Sequence, residues 1–381
     1  LQKKDDMRDA PWSRELEDMY KGQDVYHEQG DMAAAIDIME RLHDKYPGNA
    51  EAAFRLIDLY RQNEAGNRAD ALLEQTLELQ HLNPDLLFEH ARTFYLQPRT
   101  DRQNETTARK LLERVLAGKP NHEEALYLLG TIHLQQGNPE EAIELLERSV
   151  QEHPQNQEAW IRLLIAGLNT GQYQQTLVFA KEALVLFPRQ FTLLRLAGTA
   201  ALQSGHNQQA LDYLTGALES RQADAVTDEM RSTAASMLGM VYGRLDAPAK
   251  SDSLYRQAIS WDRNNTTALN NYAYSLAERE VRLERALEMA QRAVDLGPNN
   301  SSFLDTLGWI YYKMDRPAEA AEWVEKALET GSASAAVHEH YGDIQHELGN
   351  DTTATEYWKK AANLNPDREQ SLERKIDRLR P

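Results

Sequence analysis

Along most of this chain apolar residues return every three or four positions, in runs of about a dozen residues, the period of one buried helix face. No stretch alternates apolar and polar residues as a half-buried strand does, so the pattern predicts an all-α chain. The breaks between runs are of two kinds. One carries glycine (Gly30, Gly137, Gly171, Gly205, Gly349) and is read as the turn inside a helix pair. The other carries proline, in phrases such as Lys45-Tyr-Pro-Gly-Asn49, Glu152-His-Pro-Gln-Asn156, Leu296-Gly-Pro-Asn-Asn300 and Leu364-Asn-Pro-Asp367. Proline there stops one helix and sets the turn into the next. Pro120, Pro154 and Pro188 are 34 residues apart, Pro298 and Pro366 are 68 apart, and Pro47 and Pro84 extend the series at 37.

Small residues hold fixed places within this period. Gly130, Gly198, Gly239, Gly308 and Gly342, with Ala273, fall in the first helix of their units; Ala142, Ala210, Ala320 and Ala354 fall in the second. A glycine inside a helix costs about 1 kcal/mol relative to alanine, so its recurrence calls for a reason. Close approach of two antiparallel helices supplies it, with Trp160, Tyr242, Tyr255, Met289, Tyr311, Val324 and Trp358 as the bulky partners.

Ala125-Leu-Tyr-Leu-Leu-Gly130, Gly137-Asn-Pro-Glu-Glu-Ala-Ile143 and Pro154 together resemble the tetratricopeptide repeat (TPR) signature. Leu304-Asp-Thr-Leu-Gly-Trp-Ile-Tyr-Tyr312 and His338-Glu-His-Tyr-Gly-Asp343 resemble bacterial TPR proteins, which are often envelope lipoproteins. The resemblance implies a right-handed superhelical solenoid of about ten helix-turn-helix units. The units are 16–49, 50–86, 87–122, 123–156, 157–190, 191–231, 232–265, 266–300, 301–334 and 335–368. Residues 1–15 form an N-terminal lead-in, 16–231 units one to six, 232–368 units seven to ten, and 369–381 a C-terminal capping helix with Leu372, Ile376 and Leu379 on one face. Three places depart from the period. A polar loop is expected around 98–105, a bend or a longer helix and loop around 219–231, and one extra residue near 280–283.

Composition narrows the function. A net charge of −18 opposes nucleic-acid binding, since polyphosphate would be repelled. The basic residues of the tail from Arg368 to Arg380 are interleaved with acids and read as a solvated last helix. The absence of cysteine excludes disulfides, zinc ribbons and thiol catalysis. No apolar run reaches the length of a membrane span. The chain starts at Leu1, and a signal peptide or lipid anchor upstream of it would place the protein in the bacterial cell envelope, on the periplasmic side; the cytoplasm is the alternative.

Catalytic motifs fail on inspection. His346-Glu-Leu-Gly-Asn350 has asparagine where a zinc protease needs its second histidine. Glu339, Asp343 and His346 share a helix face but read as polar surface of an acidic protein, and no metal or cofactor is expected. In TPR folds the first helix of each pair lines the groove. The resemblance places Asn270, Asn271, Tyr274, Asp305, Trp309, Tyr312, Glu339, His340 and Asp343 there, as a partner-binding surface for another protein or peptide segment. The alternative for Trp309 and Tyr312 is packing on neighbouring helices. Asn271 matches one position of the carboxylate-clamp pattern, but Asp305, Thr306, Glu339 and His340 stand where that pattern has lysine and arginine, which opposes carboxylate capture here. Units four to six offer a more apolar strip that includes Tyr127, Ile165, Leu196 and Leu202. The expectation is a non-enzymatic scaffold or adaptor. Its rivals are a regulatory subunit of an enzyme, or of a secretion or envelope assembly whose catalytic part is another chain, and an RNA-binding helical repeat.

Overall fold

The computed structural model describes residues 11–79, 82–96, 102–220 and 226–379, and among these the chain forms twenty-one α-helices, one 3-10 turn and no strand. It divides into two compact units, Leu1–Gln172 and Tyr173–Pro381. The first contains α1 (Pro11–Glu28), α2 (Met32–Lys45), α3 (Ala50–Gln62), α4 (Gly66–Leu77), α5 (Pro84–Leu96), α6 (Arg102–Gly118), α7 (Glu123–Gln135), α8 (Pro139–Glu152) and α9 (Gln157–Asn169). The second opens with α10 (Tyr173–Leu186) and continues through α11 (Phe191–Gln203), α12 (Asn207–Glu219), α13 (Asp228–Arg244), α14 (Pro248–Trp261), α15 (Thr266–Glu278) and α16 (Leu283–Leu296). It ends with α17 (Ser301–Lys313), α18 (Pro317–Glu329), α19 (Ala335–Glu347), α20 (Asp351–Leu364) and α21 (Glu369–Asp377).

Local chemistry sets the helix ends. Asn49, Asn156 and Asn300, which close three of the proline phrases, and Asn265, in the matching place of a turn without proline, are N-caps that accept backbone N–H bonds from Ala52, Ala159, Phe303 and Ala268. Inside the pairs Gly30, Gly137, Gly171, Gly205 and Gly349 all have positive φ, a conformation that glycine adopts at no steric cost. The extra residue near 280–283 has a backbone reason, since Glu280 and Arg282 both adopt φ 53 within one turn. Pro84 opens α5 rather than closing the preceding helix. The stretch expected as a polar loop at 98–105 is helical from Arg102 onward, and residues 97–101 lie outside the described residues. Of the long segment at 219–231, residues 221–225 lie outside the described residues, while α13 runs for 17 residues against 13 in α11 and α15.

Packing within pairs follows one rule. The glycine slot of a first helix faces the residue sixteen positions on in the second. A Cβ on Gly130 would lie 2.8 Å from Leu146, on Gly198 2.6 Å from Leu214, on Gly308 2.5 Å from Val324, and on Gly342 2.5 Å from Trp358. In the second unit the first helices α11, α13, α15, α17 and α19 also touch one another in succession, and approach more closely than successive second helices do. The first helices therefore line the inner side of that unit's curve. Leu196 and Leu202, from the apolar strip, are core here. At the end of the chain α21 buries Leu372 against Ala354, Trp358 and Ala361 of α20.

Two glycine-to-alanine changes separate packing from helix propensity. A methyl at Gly308 would also sit 2.9 Å from the Ala320 carbonyl oxygen, whereas at Gly216 the nearest atoms are 3.7 Å away. Gly308→Ala is expected to destabilise the second unit by about 1–3 kcal/mol, the usual cost of overpacking. Gly216→Ala is expected to be neutral or to stabilise by up to about 1 kcal/mol. Urea titration of each variant measures both; a stabilising Gly308→Ala would refute the close-packing account.

Candidate partner-binding face

The nine residues expected on the partner-binding face lie on α15, α17 and α19, three successive first helices. Their exposure divides them. Asn270, Asp305, Trp309, Glu339 and His340 are buried, whereas Asn271, Tyr274, Tyr312 and Asp343 are half-exposed.

The buried members join one helix to the next. His340 Nδ1 on α19 donates to both carboxylate oxygens of Asp305 on α17, at 2.9 and 3.0 Å. Its ring stacks on the Trp309 indole with centroids 4.0 Å apart and an interplanar angle of 15°. Trp309 Nε1 in turn donates to Glu278 Oε1 on α15 at 2.6 Å. Three first helices are thus connected through one aromatic and ionic chain, and each buried charge in it has the partner it requires. Burial alone would lower the His340 pKa, but the Asp305 carboxylate beside it, with Asp343 and Glu278 further off, outweighs that and raises it above the usual histidine value.

The carboxylates of α19 are met by the tail. Lys375 Nζ donates to Glu339 Oε1 at 3.0 Å and Asp343 Oδ1 at 2.6 Å, Arg368 pairs with Glu339 at 2.9 Å, and Trp358 Nε1 donates to Asp343 at 2.9 Å. The basic tail, read from sequence as solvated, instead ties α21 back to α19 through Arg368 and Lys375. Pattern gave no signal for this, because the two cations lie 36 and 29 residues from Glu339 in sequence. His346 turns away from Glu339 and Asp343 to Asp351, at 2.7 Å.

What remains open on this face is aromatic and acidic. Tyr274 and Tyr312 are half-exposed and Glu278 and Glu347 are exposed. Burial first, then Glu278 and Asp305, raises the Tyr274 pKa, and burial, then Asp343 and Glu347, raises that of Tyr312. Both phenols therefore stay neutral at physiological pH and keep their O–H donors. Beside Tyr274 a hollow of about 480 Å³ opens between α13 and α15, lined by Met240, Arg244, Asn271, Tyr274, Glu278 and Arg279 among others. Glu278 and Glu347 escaped the sequence reading because they stand at the ends of their helices, outside the slots that the repeat pattern singles out.

Paired helices with small-for-large slots and an inner face built from first helices define a helical-repeat protein. The chain belongs to the tetratricopeptide repeat family, whose sequence models match residues 26–87, 101–166, 233–265 and 302–331, together half of its length. It is similar to the Type IV pilus assembly protein PilF of Pseudomonas aeruginosa, with 30% identity over 164 residues that make up 42% of this chain and 62% of PilF. A TPR repeat-containing protein of the same organism is 35% identical over 74 residues, 19% of this chain and 12% of that one. The chain thus spans less than two thirds of the length of either relative. In fold it resembles a tetratricopeptide repeat protein from Parabacteroides merdae, with TM-score 0.54 and 16% identity over 67% of this chain and 97% of that one. It also resembles a chain of the APC/C hetero-tetramer Cut9-Hcn1, with TM-score 0.56 and 13% identity over 93% of this chain and 74% of that one.

The His340–Asp305 pair makes a pH-dependent link. Because the folded pKa of His340 is raised, its contribution to stability is fully present below about pH 6.5, the unfolded value. It is lost as pH rises through the folded pKa. Thermal melts should therefore show the second unit weakening with rising pH over that window, and His340→Gln should flatten the trend. A wild-type profile identical to that of His340→Gln would remove the charged pair from the account.

Proposed function

We propose that this chain is a non-enzymatic scaffold that holds a segment of a partner polypeptide on the inner face of its second unit, as part of a bacterial cell-envelope assembly. The observation that carries the proposal is the open, ordered combination of Tyr274, Tyr312 and Asn271 with exposed Glu278 and Glu347 on successive first helices. Half-exposed aromatic side chains held by a stiff support give contact area at low entropic cost, the usual make-up of an interface anchor. Tetratricopeptide repeat proteins generally mediate protein–protein interaction, and the family models that match this chain are of that repeat. Similarity to a pilus assembly protein favours the envelope setting and a structural part in an assembly over control of an enzyme. Among the described residues no helix is long and apolar enough to cross a membrane.

The half-exposed tyrosines, not Trp309, are the residues that test binding. Trp309 is 7% exposed and stacked on both sides, so truncating it would cost several kcal/mol of packing. Tyr274→Ala with Tyr312→Ala removes two anchors and keeps the groups of the Glu278–Trp309 and Asp305–His340 hydrogen bonds, at the loss of the Tyr312 ring stacked on Trp309, so a melting curve accompanies the variant. Affinity purification from the source cell identifies the partner, and calorimetry with that partner then compares the variants. The double variant is expected to lose about 2 kcal/mol or more, roughly thirtyfold in affinity. Unchanged affinity in a folded double variant would move the binding site off this face.

A further inference from the structure

The inner face of the second unit carries its charge unevenly. Three positions before the small-residue slot, successive first helices hold Arg195, Ser236, Asn270, Asp305 and Glu339. One row of equivalent places thus runs from cation through neutral to anion. At the cationic end, α11 contains no acidic residue at all, and Arg195 is half-buried. Burial alone pushes its pKa down, with no carboxylate among the described residues to offset it. A guanidinium nevertheless stays charged, so Arg195 is a partly desolvated cation without an anion. This side of α11 faces the next first helix, for Thr199, one turn beyond Arg195, reaches the Met237 sulfur of α13 at 3.8 Å. On α13 the Ser236 hydroxyl is 2% exposed and has no hydrogen-bond partner among the described residues. The acids of α13, Asp228 and Glu229, are confined to its first turn, where Asp228 pairs with Arg231.

The other end is the reverse. Around Tyr274 and Tyr312 stand the carboxylates Glu278, Asp305, Glu339, Asp343 and Glu347, of which Glu278 and Glu347 are exposed. His340, Arg368 and Lys375 answer Asp305, Glu339 and Asp343, while the nearby cations are engaged elsewhere, Arg279 with Asp252, Lys313 with Glu280 and Arg244 with the Leu202 carbonyl. In a protein of net charge −18 an unpaired arginine on the inner face is the exception that needs an anion. An anionic group supplied by a bound chain satisfies it, while lysine or arginine further along the same chain satisfies the acidic end.

Resting on the reading that this face holds a polypeptide, we infer that the bound segment lies in one orientation, with an acidic group against Arg195 and a basic stretch against the carboxylates around Tyr274 and Tyr312. Successive first helices stand roughly 10 Å apart. Three to four steps from α11 therefore span roughly 30–40 Å, which an extended chain covers in about ten residues at roughly 3.4 Å each. The partner segment then carries opposite charges separated by about that length.

Synthetic fluorescein-labelled peptides with a neutral ten-residue centre test this on the full chain by anisotropy at low salt. One peptide bears two glutamates at one end and two lysines at the other; the controls bear lysines at both ends or glutamates at both. The mixed peptide should bind at least tenfold tighter than either control. Arg195→Glu should abolish that preference and turn it towards the lysine-only peptide, and Arg195→Gln should abolish it without reversal; melting curves of both variants confirm folding. Equal preference for the mixed peptide in wild type, Arg195→Glu and Arg195→Gln would overturn the orientation while leaving the groove. Binding indifferent to Tyr274→Ala and Tyr312→Ala, or no binding by any peptide, would instead count against the groove itself.

Discussion

In five of the helix pairs a glycine of the first helix (Gly130, Gly198, Gly239, Gly308 or Gly342) faces a larger residue sixteen positions later, and the rest of this structure depends on that close contact. It brings two helix axes together closely enough for Leu214, Val324 or Trp358 to fill the space left by a missing side chain. Interior glycine disfavours the helix in isolation, so the helix gains its stability from the partner. Once pairs form in this way, each buries only a thin layer and must stack on its neighbours. Stacking brings the first helices together, and that creates an inner face.

The inner face of the second unit is stiffened by polar links rather than by apolar packing alone. Glu278 to Trp309 and Asp305 to His340 cross from one first helix to the next, and Glu339 and Asp343 to Lys375 cross from α19 to the last helix, α21. Links of this kind are costly when broken singly, because each leaves a buried group unpaired. Tyr274 and Tyr312 rest against this chain, Tyr312 stacked on Trp309 and Tyr274 beside His340, with part of each ring still exposed. The division of labour is physical: the groups that best satisfy one another are buried, and those left over are open to a partner.

Much of this was legible in the sequence. The 34-residue spacing of Pro120, Pro154 and Pro188 marked the pair boundaries, and Gly308 and Gly342 announced close contacts that the coordinates show atom by atom. The location of the candidate face on α15, α17 and α19 also followed from the repeat. Its partition into buried and open residues did not, because repeat position fixes which way a side chain points and not which neighbour reaches it. Asp305 and His340 are 35 residues apart and look like separate surface groups until the helices stack. Lys375 and Arg368 were hidden among the acids of the tail for the same reason. Arg195 drew no notice as one arginine in an apolar run; only its lack of a carboxylate in the folded unit sets it apart.

The central claim is that partners meet the second unit on its inner, first-helix face. Site-specific photo-crosslinking tests it most directly, with a benzophenone side chain placed at Tyr312 on α17 or at Tyr357 on the second helix α20, both half-exposed. The account predicts that irradiation in source-cell extract joins a partner polypeptide to the Tyr312 probe and leaves the Tyr357 probe without that adduct. The same adduct formed from Tyr357 and absent from Tyr312 would contradict it.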